Sequence, residues 1–274
     1  MDNPNLRIYW PIGLTREMPG RTGQGALLET LLGEYARTVV SPGTTVTIGW
    51  MKKTTSLLSS TFLGMLNDVH VVGDILLAQE QGYHAAMIGP HWDPGLYAAR
   101  EAATIPVSGP LESAAMVAQT LGRRFALLTV HEGYVPMIER SLRTYGCESR
   151  AIAHRPVRRF GMSYENIVAA LDGSSRDFLD EFTRTARECI SDGADVIIAG
   201  GQLFGPVFQR HGYFEIPGTG VPVVEVAACG LKMAETLVAL RRNVGLKKSE
   251  HPNAPFRTPA AEALSQARKL FDVG

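Results

Sequence analysis

Short apolar runs alternate with amphipathic stretches along the chain, and this alternation constrains the fold more than any other feature. Runs such as residues 45–50 and 85–88 are short and apolar or β-branched, as buried strands are. Stretches such as residues 25–39 repeat apolar residues at helical spacing. Strands separated by helices of about 12 residues form parallel sheets with crossover connections. The chain is therefore predicted to be an α/β protein.

The predicted elements follow from these runs. Strands are expected at residues 6–10, 45–50, 85–88, 105–107, 125–130, 149–154, 195–199 and 221–224. Helices are expected at residues 25–39, 69–81, 93–103, 134–145, 178–191 and 227–240. Pro11 and Gly13 are expected to end the first strand. Asp93 is the expected N-cap of its helix, with Pro94 at the first helical position.

Two parts of the chain repeat one pattern. Residues 83–89 with 104–107, and residues 193–200 with 220–223, each place a buried strand, a loop and a second strand in the same order. Chance similarity between buried strands is the alternative. The repeat predicts two pseudo-symmetric α/β lobes, each a mainly parallel sheet flanked by helices, with the active site between them. Residues 1–110 with 226–274 form the first predicted lobe and residues 111–225 the second.

Composition excludes several classes of protein. The chain has 27 Lys+Arg and 27 Asp+Glu and no basic run, which argues against nucleic acid or an anionic membrane as partner. No apolar run approaches the roughly 18 residues of a membrane span, and residues 1–5 lack the features of a signal peptide. Cys147, Cys189 and Cys229 are too few and too scattered for a disulfide framework or a zinc site. A cytoplasmic globular protein is expected.

Cofactor motifs are also missing from the sequence. No Gly-x-Gly-x-x-Gly follows the first strand and there is no P-loop, so a nucleotide cofactor is not expected. The histidines have no metal-ligand spacing. No cofactor and no metal are predicted.

Several motifs together resemble a known family. They are Asp93-Pro94-Gly95-Leu96, Ile105-Pro106-Val107, Glu112-Ser113-Ala114, residues 121–125, residues 192–197 and residues 221–235. In this order and spacing they resemble the hydantoin racemase branch of the aspartate/glutamate racemase superfamily, from about Gly82 to Leu240. The resemblance implies a cofactor-free active site between two lobes and implies small carboxylates or cyclic amides as substrates. It also implies a homo-oligomer.

The chain departs from this family at two positions. The resemblance implies one cysteine on each lobe, the pair acting as acid and base on opposite faces of the substrate carbon. Pro90 stands three residues before the Asp93 motif, at the first position, and Gly201 stands at the second. Neither residue carries a proton. Cys229 is the only cysteine expected near the cleft, and a small buried hydrophobe is the favoured interpretation of all three. Two-thiol racemisation is therefore not expected.

Three residues are candidates for catalysis. His91 lies beside the lost first cysteine and suits acid or base chemistry, although a loop histidine can also pack or cap. His131 follows the first strand of the second lobe, where the alternative is a solvated loop pair with Glu132. Glu225 ends the last strand, where a structural salt bridge is the alternative.

The same strand ends supply candidate substrate-binding residues, because ligands bind beyond the carboxyl ends of parallel strands. Trp10 and Trp92 can wall a pocket for a planar substrate or belong to the core. Gly200, Gly201 and Gln202 can present N–H groups to a carboxylate or an enolate oxyanion, or form a plain tight turn. The other candidates at these ends are Pro11, Pro90 and Thr129.

Two functional classes follow. The first is a cofactor-independent enzyme acting on a small carboxylate or a cyclic amide or imide. It would be an isomerase, a lyase or decarboxylase, or a ring hydrolase, working through an enolate-type or water-activated step without thiols. The second is a catalytically inactive racemase-like ligand-binding or regulatory protein. In both classes the expected partner is a small molecule.

Overall fold

The chain divides into two compact units, each described here by itself. The computed structural model describes residues 5–17, 24–55 and 58–273. One unit comprises Met1–Gly109 with Gly230–Gly274, and the other comprises Pro110–Cys229. The expectation that the chain has no signal peptide was based mainly on residues 1–4, and these lie outside the described residues.

Unit 1 contains a parallel sheet with the strand order β2-β1-β3-β4. Its elements up to residue 109 are β1 (Leu6–Pro11), α1 (Gln24–Val39), β2 (Thr44–Gly49), α2 (Thr61–Glu80), β3 (Ala85–Met87), α3 (Leu96–Ala102) and β4 (Val107–Ser108).

Unit 2 contains a sheet with the strand order β6-β5-β7-β9-β8, in which only the β8–β9 pair is antiparallel. Its elements are α4 (Pro110–Leu121), β5 (Phe125–Thr129), α5 (Val135–Thr144), β6 (Val157–Arg159), α6 (Tyr164–Asp172), α7 (Asp177–Ser191), β7 (Val196–Ala199), α8 (Phe204–His211), β8 (Glu215–Ile216) and β9 (Val221–Glu225).

The chain then returns to unit 1 through α9 (Val226–Val244), which is followed by α10 (Ala261–Phe271). Glu235 on α9 fastens the beginning of β2. Its carboxylate accepts hydrogen bonds from Ser41 N at 2.8 Å and from Thr44 Oγ1 at 2.6 Å. Unit 1 is therefore built from two segments that are far apart in sequence.

The two sheets repeat one topology. The parallel order β2-β1-β3-β4 of unit 1 corresponds to β6-β5-β7-β9 of unit 2. β5 and β7 are buried at every residue, which explains their continuous apolar sequence, because parallel strands are covered on both faces. The predicted fold class, α/β with two similar lobes built on mainly parallel sheets, is confirmed.

An aromatic cluster fills part of the core of unit 2. Phe160, Phe178, Phe182, Phe204 and Phe208 lie with ring centroids 5.1 to 6.4 Å apart, in edge-on, tilted and stacked pairs. Aromatic pairs favour such offset or edge-on contacts. The cluster fixes the start of α8 and, with it, the turn after β7.

The predicted strand at residues 149–154 is wrong. A short 3₁₀ turn, Glu148–Arg150, and a single bridge between Phe125 and Ala151 occupy that segment. The strand is β6, which carries two arginines on a sheet edge. An edge strand needs no continuous apolar run, so its pattern was not recognised.

Several helices were not predicted, or were predicted too short. α4, α6, α8 and α10 were not identified, and α8 begins at Phe204, two residues after the candidate turn Gly200–Gln202. α2 begins at Thr61 rather than 69, where Ser60 Oγ accepts a hydrogen bond from Leu63 N. The first strand also continues through Pro11 instead of ending before it.

α2 is also long and apolar. Among the described residues it is the one helix that could cross a membrane by length and composition. Its Val71, Ile75, Leu76 and Ala78 are buried in the protein. Core helices of soluble proteins meet the same criterion, so this is weak evidence for a membrane span.

Candidate active site

The loop after β3 packs tightly against the end of β1. A Cβ on Gly89 would lie 1.7 Å from the carbonyl oxygen of Pro11, and one on Gly13 would lie 2.7 Å from Pro90 Cγ. Only glycine permits approaches this close. The structure therefore brings the candidate residues Pro11 and Pro90 to one place, and both are buried.

His91 is buried in this loop. It is 5% exposed, and its ring lies edge-on to that of Trp92 with centroids 5.1 Å apart. Burial lowers the pKa of His91 to about 3, because a charged imidazolium loses its hydration there. The side chain is therefore a neutral imidazole at neutral pH, with one N–H donor and one acceptor nitrogen.

Asp93 does not cap α3 as predicted. The cap residue is Gly95, and both Asp93 and Gly95 adopt the left-handed backbone conformation, with φ of 58° and 65°. A turn closed by Leu96 N donating to the Asp93 carbonyl oxygen delays the helix by two residues. The Asp93 carboxylate lies against Gly109, where a Cβ would be 2.5 Å from Asp93 Oδ2.

Trp10 belongs to the core of unit 1. Its side chain is fully buried on β1, and its Nε1 has no hydrogen-bond partner within the part of the chain that the structure describes. This position matches the core alternative for Trp10. Trp92, at 8% exposed, remains in contact with His91.

Asp68 is a candidate that sequence reasoning missed. It lies on α2 beside the start of α3, where a Cβ on Gly95 would be 3.7 Å from Asp68 Cβ. Burial raises the pKa of Asp68 to about 6. The prediction began this helix at residue 69, and a single aspartate carries no motif, so only the structure reveals a carboxyl group that titrates near neutral pH here.

Three candidates lie in one row at the carboxyl edge of the unit 2 sheet. Thr129 is the last residue of β5. Gly200 directly follows the neighbouring strand β7, and its N–H donates to the carbonyl oxygen of Leu128 at 2.9 Å. Glu225 pairs with Ala199 across β7 and β9. Thr129 is completely buried. The ends of these neighbouring parallel strands therefore lie side by side.

The Gly-Gly turn after β7 has a packing role. A Cβ on Gly201 would lie 2.5 to 2.7 Å from ring atoms of Phe204, so the buried ring occupies the space that a side chain would need. Gln202 follows on a half-buried turn. The turn therefore carries no titratable side chain before α8 begins.

Glu225 caps a helix. Its Oε1 accepts a hydrogen bond from Ala227 N at 2.9 Å, and its Oε2 accepts one from Ala228 N at 2.8 Å. These N–H groups belong to the first turn of α9, where a carboxylate also interacts favourably with the helix dipole. The cap is a structural role of Glu225, formed with backbone N–H groups.

His131 is an exposed turn residue. Its Nδ1 accepts a hydrogen bond from Gly133 N at 3.0 Å, which caps the 3₁₀ turn Glu132–Tyr134. This geometry favours the solvated-loop alternative over a catalytic role.

The three cysteines are all poor acids. Burial raises the pKa of the Cys147 thiol, that of Cys189 to about 11 and that of Cys229 to about 12. The thiolate is the reactive form, so few of these groups are reactive at neutral pH. Among residues 5–17, 24–55 and 58–273, no three His, Cys, Asp or Glu side chains form a group that could hold a metal.

Each unit contains a mainly parallel sheet, the two sheets share one strand order, and polar side chains lie at their carboxyl edges. The chain is thus an α/β protein built of two similar lobes. The family model described as Asp/Glu/Hydantoin racemase matches residues 31–234, and the chain belongs to this family.

Individual relatives agree. The chain is 33% identical over 168 residues to a hydantoin racemase of Rhizobium meliloti, covering 61% of this chain and 66% of that protein. It is 30% identical over 186 residues to a hydantoin racemase of Pseudomonas sp. (strain NS671), covering 66% and 70%. The crystal structure of an allantoin racemase from Pseudomonas fluorescens has a TM-score of 0.73 at 26% identity and covers 93% of this chain and 97% of that one. The resemblance to the hydantoin racemase branch is thus confirmed.

Proposed function

We propose that this chain is a cofactor-independent enzyme that acts on a small carboxylate or a cyclic amide or imide through an enolate-type step without thiols. The family and the relatives named hydantoin and allantoin racemases support a cyclic ureide as substrate. The observation that carries the proposal is the buried, neutral His91 beside Pro90.

The proposed role of His91 is that of a hydrogen-bond donor. Removal of a proton from carbon next to a carbonyl group places negative charge on the carbonyl oxygen. A neutral imidazole N–H held in a site without water stabilises this charge without having to give up its proton. This replaces the sequence-based idea of a histidine that titrates near neutral pH.

Asp68 is the proposed proton acceptor of unit 1. A general base works best when its pKa is near the working pH, and the pKa of about 6 leaves Asp68 largely ionised at pH 7. Asp93 would position the loop through its contact with Gly109.

The difference between the two strand edges supports one group of reactions over another. Racemisation by two groups needs a proton carrier on each face of the carbon, and the Gly200–Gln202 turn offers no titratable side chain. Proton exchange, decarboxylation or elimination on one face fits this chemistry better than two-base racemisation. A non-catalytic binding protein is the second candidate, favoured by the capping roles of Glu225 and His131.

Deuterium exchange tests the proposal. Single enantiomers of allantoin and of a 5-substituted hydantoin are incubated with the protein in D₂O, with a protein-free control for spontaneous exchange. Loss of the α-proton is followed by NMR and optical rotation by polarimetry. We expect catalysed exchange that outpaces racemisation. Saturable binding without exchange or turnover would assign the binding-protein function. Equal rates of exchange and racemisation, both abolished by thiol alkylation, would overturn the thiol-free mechanism.

A further inference from the structure

A pocket on unit 1 is lined by none of the candidate active-site residues. It has a volume of about 340 Å³ and is formed by the segment before β4, one face of α9 and the segment that follows α9. Its apolar walls are Ile105, Val107, Leu237, Leu240, Leu246 and Phe256. A volume of this size is typical of small-molecule sites.

The segment after α9 is held in place by contacts of Lys248 and Phe256. Lys248 Nζ donates to the carbonyl oxygens of Arg100, Glu101 and Ala103 at 2.7 to 2.8 Å and so satisfies the end of α3. Phe256 packs edge-on against Tyr97, with ring centroids 5.1 Å apart. The segment therefore forms a fixed wall of the pocket.

Apolar side chains remain exposed in the pocket, one on α9 and one on the segment that follows it. Leu240 and Leu246 are 38% and 56% exposed, although both line the pocket. A ligand with an apolar body would cover them, and covering apolar surface is favourable at about 25 cal/mol per Å².

The charged lining is entirely basic. Arg100, Arg241, Lys247 and Lys248 line the pocket, and no acidic residue does. Lys248 already donates hydrogen bonds to three carbonyl oxygens. The negative charges that act on Lys248 are those of Glu250 and Glu101.

Arg241 is the best placed of these cations. It uses Nη1 to donate to the Thr104 carbonyl oxygen at 2.6 Å, and a guanidinium has five N–H donors in all. Arginine also suits carboxylate recognition through paired hydrogen bonds.

We propose that this pocket binds an amphipathic carboxylate, with its apolar body against Leu237 and Leu240 and its carboxylate on Arg241. This site is separate from the proposed active-site loop and does not depend on the proposed function.

Calorimetric titration of the full chain with sodium octanoate, octylammonium chloride and 1-octanol tests the assignment. We expect saturable binding of one octanoate, with octylammonium bound at least about tenfold more weakly because it meets four cations. Leu240→Asp should abolish octanoate binding. Arg241→Gln should weaken octanoate at least about tenfold and leave octanol binding nearly unchanged. Thermal unfolding of each variant verifies that it is folded.

Leu121→Asp is the matched control, since Leu121 is a 54% exposed leucine of unit 2 outside the pocket. The Leu121→Asp variant should bind octanoate with the same affinity as the wild type. The proposal is overturned by absence of saturable octanoate binding, by equal affinity for octanoate and octylammonium, or by equal loss in Leu121→Asp. A dimer that dissociates in Leu240→Asp, without octanoate binding, would assign the pocket to a second copy of the chain and would also overturn it.

Discussion

The loop after β3 in unit 1 and the turn after β7 in unit 2 occupy corresponding positions in two sheets of the same strand order. In the first loop, His91 and Asp93 are buried and Gly89 lies in tight contact with the Pro11 backbone. The second buries Gly201 beneath the ring of Phe204. Both are closely packed, but only the first contains titratable side chains.

This difference shows that a repeated backbone topology does not require repeated chemistry. The strand order places both loops at carboxyl edges, where ligands of parallel sheets bind. The side chains then decide what each edge contributes: the loop after β3 contains His91 and Asp93, whereas the turn after β7 contains no titratable side chain. Substitutions in the two loops should therefore have unequal effects on activity.

The largest expected effect follows replacement of His91. His91→Ala should lower kcat by about 10²- to 10³-fold, because one donor to a developing oxyanion is worth about that much. His91→Gln should retain more activity, since its amide can donate a hydrogen bond. Steady-state kinetics on the substrate found by deuterium exchange measures both.

Gln202→Ala is the matched variant in unit 2, and it should lower kcat by less than about tenfold, well below the cost of a lost oxyanion donor. Wild-type kcat in His91→Ala, or a larger loss in Gln202→Ala, would reverse the comparison of the two loops.

Glycine replacements compare the packing of the same two loops. Gly201→Ala places a Cβ against the buried Phe204 ring and should cost about 1 to 3 kcal/mol of unfolding free energy, as overpacking does. Gly89→Ala should cost more, because the obstacle is the Pro11 backbone rather than a side chain that can shift. Urea denaturation measures both.

Gly161→Ala is the control, since a Cβ there has no atom within 4 Å. Its effect should stay within about 0.5 kcal/mol. Equal stabilities of the Gly161 and Gly201 variants would contradict the packing role of the turn after β7.

Carboxyl groups of the two units should respond to pH with opposite signs. Burial raises the pKa of Asp74 on α2 to about 6, and its Oδ2 has no hydrogen-bond partner among the described residues. A raised pKa means that the folded state holds its proton more tightly. Its contribution to stability is therefore complete below about pH 4 and is lost as pH rises to about 6. Asp74→Asn should be more stable than wild type at pH 7 and similar to it at pH 4.

In unit 2, Arg158 lowers the pKa of Asp192 through a hydrogen bond and an ion pair. This stabilisation is present at neutral pH and is lost on acidification. Asp192→Asn should therefore be less stable than wild type at pH 7, with the difference vanishing at low pH. Thermal unfolding at pH 7, 5.5 and 4 follows Asp74→Asn, and measurements continued below pH 4 follow Asp192→Asn, because a lowered carboxyl pKa is titrated only there. The same sign of change in both at pH 7 would contradict the assignment.

The smallest effect is expected from the cysteines. Replacing Cys147, Cys189 and Cys229 with alanine should change kcat by less than about twofold, because thiols of raised pKa supply little thiolate at neutral pH. Iodoacetamide at pH 7 should inhibit the wild type weakly. A large loss of kcat in Cys229→Ala with an intact fold would restore a thiol mechanism.

The sequence predicted the fold more fully than the chemistry. Continuous apolar runs identify β5 and β7, because covered parallel strands leave a strong signal. β6 was missed because its pairing with β5 needs no apolar run, and the start of α3 was misplaced because a left-handed Asp93 looks like a helix cap in sequence. Loop positions locate His91, but its neutrality depends on burial. Asp68 gains its raised pKa from the same cause.

The hydrogen bonds from Ser41 to Glu235 join residues 194 positions apart in the chain. At a synthesis rate of about 5 to 20 residues per second, Glu235 leaves the ribosome roughly 10 to 40 s after Ser41. Unit 2 is continuous and can complete its contacts while the chain is still growing. Unit 1 must wait for α9 before Glu235 can bind Ser41 and Thr44 at the beginning of β2. The segment that is synthesised first therefore belongs to the unit that completes its contacts last.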